Sequence, residues 1–226
     1  MPRHVAVILD GNRRWARAHR RDLAGGYGRG GEKVREVLGW CERAGIGFVT
    51  LWALSLDNLR RPEEEVTPIL DAVVSTVEEL AAERRWRIRP VGHTRALPAH
   101  FAARLRAAAE ATTGVPGPTV NIAVAYGGRQ ELLDAVNDLL ATEEGRAQAQ
   151  AGLTEELLGR HLYTRGQPDP ELIIRTSGEQ RLSGFMPWQS AYSELYFCDV
   201  PWPDFEEADL HRALEAFASR SRRFGR

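Results

Sequence analysis

The sequence predicts an α/β domain built on a mainly parallel central sheet of about six strands flanked by helices. Three observations predict it. Apolar runs alternate with helix-period segments along the whole chain, the pattern of successive βαβ units. The strand candidates are nearly continuous in Val, Ile, Leu and Ala, as strands buried on both faces are. Polar, glycine-containing segments follow several of those runs, where ligands sit in open sheets, beyond the carboxyl ends of the strands.

The first strand is the run at residues 4–9, which ends at Asp10 and Gly11 and leads at once into a basic helix. Gly25, Gly26 and Gly28 are expected to break the chain. A helix then carries Val34, Val37, Leu38 and Cys41 at i, i+3, i+4, i+7 and stops near Gly45. Residues 48–54 form a second buried strand, followed by a polar loop from Ser55 to Arg61. Pro62 and three glutamates open a long helix, with proline at a tolerated position and acids facing the positive end of the helix dipole. Its wide apolar face repeats Val66, Ile69, Leu70, Val73, Val74 and Val77.

Residues 86–91 are a third strand, and Phe101, Leu105 and Ala108 mark another helix. A fourth strand covers 119–126 and is stopped by Gly127 and Gly128. Leu132, Leu133, Val136, Leu139 and Leu140 give the next helix its apolar face. The Ala/Gln/Glu stretch near 142–152 reads as an exposed connection, and a short helix starts at about Thr154. Strands follow at 171–175 and 194–199. The closing helix is expected from Asp204, with Glu207 three residues on as a capping-box-like pair, and buries Leu210, Leu214 and Phe217. No repeat or linker divides residues 1–226, so a single domain is expected.

With 226 residues, 43% of them hydrophobic and 27% charged, the chain can bury a full core without disulfides. A net charge of −1 argues against a general nucleic-acid or membrane-surface binder. Lys33 is the only lysine; arginine supplies the remaining positive charge, so position rather than number carries any anion-binding argument. Cys41 and Cys198 match no metal or redox spacing and read as buried free thiols of a reducing, cytoplasmic compartment. The histidines do not pair at metal-ligand spacing and read as surface or capping residues. The tryptophans read as core or pocket walls. No run reaches the length of a membrane span, so any membrane contact would be peripheral.

The chemistry gathers at the strand ends: Asp10, the 55–61 loop, Gly127 to Arg129, and Arg175 to Arg181. Backbone N–H groups at a helix start, aided by Gly11, can cradle an anion. Arg13 or Arg14 can pair with phosphate oxygens, and Asp10 can hold Mg²⁺, a hard cation suited to a few carboxylates plus phosphate oxygens. The plainer reading, an aspartate helix cap with solvated arginines, stands beside it. Arg175 and Arg181 flank a Ser-Gly turn with Ser183 beyond, and can converge on a diphosphate; an ordinary polar loop is the alternative. Glu194, opening the last strand, is a candidate second ligand to a metal or its water. No dinucleotide glycine fingerprint, Walker-type phosphate loop or serine-hydrolase elbow is present.

Four segments, HVAVILDGNRRWA (4–16), LWALSLDNLRRP (51–62), NIAVAYGGR (121–129) and IIRTSGEQRLSGFMPWQSAYSELYFCDVPWPDF (173–205), together resemble the cis-prenyltransferase family, the Z-isoprenyl diphosphate synthases. The resemblance spans nearly the whole chain. It implies a parallel sheet with an elongated apolar tunnel, a homodimer, and Mg²⁺-dependent condensation of isopentenyl diphosphate with an allylic diphosphate to form a cis double bond. It assigns Asp10 to the Mg²⁺–diphosphate centre and Gly11, Asn12, Arg13, Arg14 and Trp15 to the allylic substrate. Asn58 and Arg61 fall in a loop that closes over the site and aids proton removal or positioning. Arg175, Arg181 and Ser183 match the isopentenyl diphosphate site, with Glu179 and Glu194 as supporting polar or metal-linked residues. Arg223 resembles the terminal Arg-x-Gly arginine that completes the partner subunit's site.

Tyr27, Leu59 and Gln180 depart from residues common in the family. Tyr27, Leu59 and the 175–185 segment resemble actinobacterial short-chain Z,E-farnesyl diphosphate synthases, which implies a C15-type product. Small Ala53, where a short-chain enzyme would carry a bulky residue, points instead to a medium or long chain. An irregular, branched condensation, a non-catalytic partner subunit and a nucleotide-binding module are the other readings. The intact 55–61 loop and the full diphosphate constellation argue against the first two, and the lack of a base or ribose signature against the third.

Overall fold

The structure, a computed structural model, describes residues 1–220. Six strands, β1 (His4–Ile8), β2 (Phe48–Trp52), β3 (Arg87–Val91), β4 (Thr119–Ala123), β5 (Leu172–Arg175) and β6 (Glu194–Phe197), form one sheet in the order β3-β4-β2-β1-β5-β6. Every neighbouring pair is parallel. The helices are α1 (Asn12–Ala18), α2 (Leu23–Arg43), α3 (Glu63–Glu83), α4 (Ala99–Thr112), α5 (Gly128–Leu140), α6 (Glu143–Ala151), α7 (Glu155–Gly159) and α8 (Glu207–Ser219).

The strand order locates the site. From β1 the chain runs outward on one side through β2, then β3 and β4, and returns to the other side of β1 only at β5. The crevice beyond β1 and β5 is therefore the switch point, where no crossover covers the strand ends. Register makes the two ends level, because Ile8 pairs with Arg175. Alternate strand residues face two layers. Val5, Val7, Val49, Leu51, Ile122 and Ile174 join α2, α3, α4 and α8 in the main core. Ala6, Ile8, Ala123 and Ile173 pack instead under Tyr126, Phe185 and Met186.

Several elements differ from the sequence expectation. The glycines at 25–31 do not break the chain; α2 runs straight through them. They are there for close approach. A Cβ on Gly30 would lie 2.3 Å from Asn12 Oδ1, and one on Gly31 would lie 2.2 Å from Thr76 Oγ1, so α1 and α3 press on α2 where no side chain fits. The 142–152 stretch is the helix α6, started by Thr142, whose hydroxyl accepts from the Gly145 N–H at 3.0 Å.

On α5 the buried face is Glu131, Ala135 and Leu139, while Leu133 and Leu140 are exposed. Glu131 tolerates burial because Tyr126 Oη (2.5 Å), the Tyr163 N–H (2.9 Å) and Gln189 Nε2 (3.0 Å) all donate to its carboxylate. The cap of α8 is a box formed by Glu206 and Asp209, two residues beyond the expected pair. Asp204 accepts from the indole of Trp15 instead (2.6 Å).

His4 is fully buried, contrary to a surface or capping role. Its Nδ1–H donates to the Pro168 carbonyl (2.7 Å), which leaves Nε2 to accept from the Thr50 hydroxyl (2.8 Å). The Asn121 amide in turn donates to Thr50 Oγ1 (2.9 Å), completing a polar chain across β1, β2 and β4. Burial holds His4 neutral, with its pKa lowered from 6.5 to about 4. Cys41 and Cys198 are both buried and free, and burial pushes the Cys41 thiol up to about 12.

Candidate functional site

Asp10 leaves β1 with its backbone held from β5. The Thr176 hydroxyl accepts from the Asp10 N–H (3.0 Å) and donates to the Asp10 carbonyl (2.7 Å), which also accepts from the Trp202 N–H (2.9 Å). Thr176 is fully buried, so one hydroxyl satisfies two backbone groups that water cannot reach. Gly11 then turns the chain into α1 at φ 106°, a left-handed conformation in which a Cβ would also meet Ser177 Oγ at 2.8 Å.

Arg175, the last residue of β5, is 5% exposed; both terminal nitrogens of its guanidinium are engaged, while Nε is buried without a partner. One end donates to Asp10 Oδ2 at 2.9 Å; the other donates to Ser183 Oγ at 3.0 Å and to the Arg181 carbonyl. The 177–186 loop is thereby tied to the carboxylate of the opposite strand end. Left-handed backbone at Ser177, Gly178, Ser183, Gly184 and Met186 folds this loop back on itself. Such conformations in non-glycine residues persist only where surrounding contacts impose them. At its base Gly128 accepts no side chain, because a Cβ there would meet Pro187 Cδ at 2.1 Å.

Above the ion pair lies an open cleft of about 1260 Å³, lined by Asp10, Gly11, Asn12, Arg13, Arg14, Asn58, Arg61, Arg175 and Ser183 among others. It holds five arginines (Arg13, Arg14, Arg17, Arg61 and Arg175) against the single carboxylate of Asp10. In a chain whose formal charge is −1 this is a strong local field, and it selects a polyanion. Arg14 donates to the Ser177 carbonyl at 3.0 Å and lies 3.7 Å from Asp10; Arg13 lies 3.4 Å from Glu65 at the start of α3. Asn12 anchors its amide on the Leu9 carbonyl (2.9 Å) and leaves Oδ1 buried without a partner.

The cleft continues into a narrow apolar pocket between α2, α3 and the sheet, with about 40 Å³ of free space. Leu51, Val34, Val73, Val77, Ile122 and Trp202 form its walls. Leu9, Asn12, Tyr27 and Ala53 belong to both spaces. Burial raises the pKa of Tyr27, partly offset by Arg61, which hydrogen-bonds its phenol, and by Arg13. The arrangement seats a molecule with a multiply charged head and an apolar tail.

Other expected residues lie elsewhere. Trp15 is outside the cleft lining, stacked on His19 at 4.2 Å. Arg181 faces Glu179 at 2.5 Å and is 61% exposed, so only its carbonyl enters the constellation. Gly127 to Arg129 support the 182–187 loop rather than line the cleft. Glu194 lies apart from Asp10 within the chain. It begins β6 level with Leu172, which is level with Val5, so it sits at the opposite end of the sheet from Asp10. Its carboxylate is held by Arg220 at 2.6 Å, and the two acids do not form a metal pair within one chain. Arg223 lies outside the described residues. Arg17 and Thr176 were not anticipated; Arg17 follows Arg13 by one helical turn, a spacing that could have flagged it.

The donor set fits Mg²⁺. Asp10 turns one oxygen to Arg175 and keeps lone pairs free, and among the described residues no group of three His, Cys, Asp or Glu could hold a metal alone. A cation that binds through one carboxylate and shares the oxygens of a phosphorylated ligand suits such a site.

Comparisons with known proteins agree with this geometry. The family described as "Putative undecaprenyl diphosphate synthase" matches residues 8–225. The (2Z,6E)-farnesyl diphosphate synthase of Thermobifida fusca is 51% identical over 234 residues, covering 99% of this chain and 90% of that protein. Isoprenyl transferase 1 of Streptomyces avermitilis is 49% identical over 229 residues, covering 100% of this chain and 89% of that protein. Among solved structures, lavandulyl diphosphate synthase from Lavandula x intermedia in complex with dimethylallyl diphosphate superposes with a TM-score of 0.92 at 33% identity, covering 100% of this chain and 98% of that one.

Proposed function

The chain belongs to the undecaprenyl diphosphate synthase family and is a cis-prenyltransferase, and on that premise we propose that it condenses isopentenyl diphosphate with an allylic diphosphate and releases a short, C15-type Z-prenyl diphosphate. The observation that carries the reading is the Asp10–Arg175 pair, 2.9 Å apart, at the floor of an arginine-lined cleft that opens into an apolar cavity. The names of the relatives support the short product.

The geometry supports a division of roles. Gly11, Asn12, Arg13 and Arg14, at the start of α1, take the allylic diphosphate, and Arg17 adds charge one turn on. Arg175 and Ser183 form the second anion site, and Arg181, paired with Glu179 in the free protein, turns to it when the diphosphate binds. Asn58 and Arg61 cover the cleft from the turn after β2. Asp10 would hold Mg²⁺, which when bound neutralises charge developing on the leaving diphosphate. The guanidiniums of Arg13 and Arg14, which line the cleft, supply positive charge for that departing group. The apolar walls keep water from the electron-deficient allylic carbon, while the double bond of the second substrate attacks it. Each five-carbon unit seated in the cavity gains on the order of 3–4 kcal/mol from burial, which binds the primer tail-first.

Catalysis by a homodimer, with Arg223 completing the partner's site, and a cytoplasmic location, in keeping with two buried free thiols, are part of the same proposal. Among the described residues no helix is long and apolar enough to cross a membrane. Incubation with Mg²⁺, labelled isopentenyl diphosphate and C5, C10 or C15 allylic primers, followed by sizing of the products, tests it. One extension of the C10 primer supports the assignment. Long products overturn the chain length, and no product from any primer favours a binding subunit.

A further inference from the structure

Ser183, whose hydroxyl meets Arg175 at 3.0 Å, is held in place from beneath by residues that no substrate reaches. Ser183 and Met186 have φ values of 51° and 47°, a left-handed conformation that costs a residue with a Cβ energy and has to be imposed by its surroundings. Three contacts impose it on the 184–186 segment. The Gly128 N–H donates to the Gly184 carbonyl at 3.0 Å. The fully buried Phe185 ring stacks on Trp52, with centroids 4.9 Å apart and 7° between the planes. The Met186 N–H donates to the Tyr126 hydroxyl at 3.2 Å.

The last of these contacts hangs on a single atom. Tyr126 is 2% exposed, and the one proton of its hydroxyl goes to Glu131 Oε2 at 2.5 Å. With that proton committed, Oη offers the loop only lone pairs, which suits a backbone N–H. Glu131 is fixed in turn, because its other oxygen accepts from the Tyr163 N–H (2.9 Å) and from Gln189 Nε2 (3.0 Å). Gln189 also donates to the Thr164 hydroxyl at 3.2 Å. The chain of bonds therefore runs from a buried carboxylate, through one phenol, to the backbone just beyond Ser183. Tyr126, Glu131 and Met186 do not line the cleft.

We propose that Tyr126 is a positioning residue for the second substrate: through Met186 it keeps Ser183 in register with Arg175, and so sets the affinity for isopentenyl diphosphate without touching it. The inference rests on the assignment of Arg175 and Ser183 to that diphosphate. Without the hydroxyl, the Met186 N–H is buried with no partner and one of the three constraints on the loop is gone. The loop then occupies the binding geometry for only part of the time, and the apparent dissociation constant rises by the inverse of that fraction. The bound state itself is unchanged, so the effect falls on KM and not on kcat. The allylic site is spared, because the backbone that leads into α1 is held by Thr176 and Trp202 instead.

Steady-state kinetics on Tyr126→Phe, varying each substrate in turn with Mg²⁺ present, tests the role. KM for isopentenyl diphosphate rises about 5- to 10-fold, while kcat and the KM of the allylic primer stay within about 2-fold. Thr112→Val controls for a merely structural loss. It too strips a hydroxyl from a buried backbone N–H, that of Ile88 on β3 (3.0 Å), and it moves neither KM. Phe185→Leu keeps Tyr126 but loosens the stack on Trp52, and raises the same KM; it carries the test if Tyr126→Phe does not fold, and an unchanged value in it overturns the proposal. Ser183→Ala separates the inference from the reading beneath it. A raised KM for isopentenyl diphosphate in Ser183→Ala with an unchanged one in Tyr126→Phe overturns the role of Tyr126, whereas no change in Ser183→Ala overturns the assignment of the site. In the double variant the two effects combine to less than their product, as they must when one residue acts through the other. A full product, or equal rises for both substrates in Tyr126→Phe, overturns the proposal.

Discussion

Beside its effect on the paired carboxylates, acidification should act on this fold through a buried histidine, His4. Its ring is fully buried in the neutral form, donating to Pro168 and accepting from Thr50. Protonation puts a hydrogen on Nε2, so Thr50 can no longer donate to it, and it places an unpaired charge among β1, β2 and β4. The pKa is about 4 in the folded protein against 6.5 when unfolded, so the unfolded chain binds the proton more readily. The contribution of His4 to stability is therefore complete above about pH 6.5 and is lost as the pH falls towards 4. Across the whole interval the loss is roughly 3 kcal/mol, of which about 2 kcal/mol falls between pH 7 and pH 5. Against a total of about 5–15 kcal/mol for a domain, that is a large fraction, and it corresponds to roughly 4–8 °C in melting temperature. Urea unfolding followed by tryptophan fluorescence at both pH values, on wild type and His4→Gln, isolates the effect from that of the carboxylates. The gap between the two proteins should narrow by about 2 kcal/mol on acidification. A gap that stays constant, or an NMR titration placing His4 at or above pH 6.5, refutes the reasoning.

Three further outcomes are expected. Asp10→Ala and Arg175→Gln should each lower kcat by about 10²-fold or more, with the far-ultraviolet circular dichroism of wild type retained, because preorganised charge at the reacting centre is lost; near-wild-type Mg²⁺-dependent turnover in either would count against the site. Thr176→Val should cost about 1–3 kcal/mol in chemical denaturation by removing the hydroxyl that bonds both the Asp10 N–H and the Asp10 carbonyl, and Thr176→Ser should restore most of it. Ala53→Phe should fill the passage between cleft and cavity, so that KM for allylic primers rises more steeply with tail length than in wild type; equal effects on C5 and C10 primers in steady-state assays would place Ala53 off the path of the tail.

The sheet and half of the site are legible in the sequence for one reason. A buried parallel strand that ends in a charged residue must deliver it to the carboxyl edge, so Asp10 and Arg175 could be brought together before any coordinates. Their partner Thr176 could not, because a threonine after an arginine carries no sign that its hydroxyl will span two backbone groups of another strand. The glycines of α2 misled because breaking a helix and allowing two helices to touch call for the same residue; only Thr76 and Asn12, distant in sequence, distinguish the two. Glu131 hid the true face of α5, since a buried carboxylate reads as an exposed one until Tyr126 and Gln189 are seen to reach it. Glu194, as a residue that opens a parallel strand, lies at the amino edge of the sheet, where it pairs with Arg220.

The strand order also has a consequence for synthesis on the ribosome. β1 is central, yet the neighbour that covers its second edge, β5, is among the last parts of the chain to be made. After β2 has emerged, about 120 further residues must be translated before Leu172 can pair with Val5. At typical elongation rates that leaves the apolar edge of β1 open for on the order of ten seconds. During that time Asp10 and Gly11 protrude with neither Arg175 nor Thr176 to hold them. The nascent chain thus passes through a state rich in native helices but with an unpaired central strand, the species in which a holdase would find its grip and in which overexpression would nucleate aggregates.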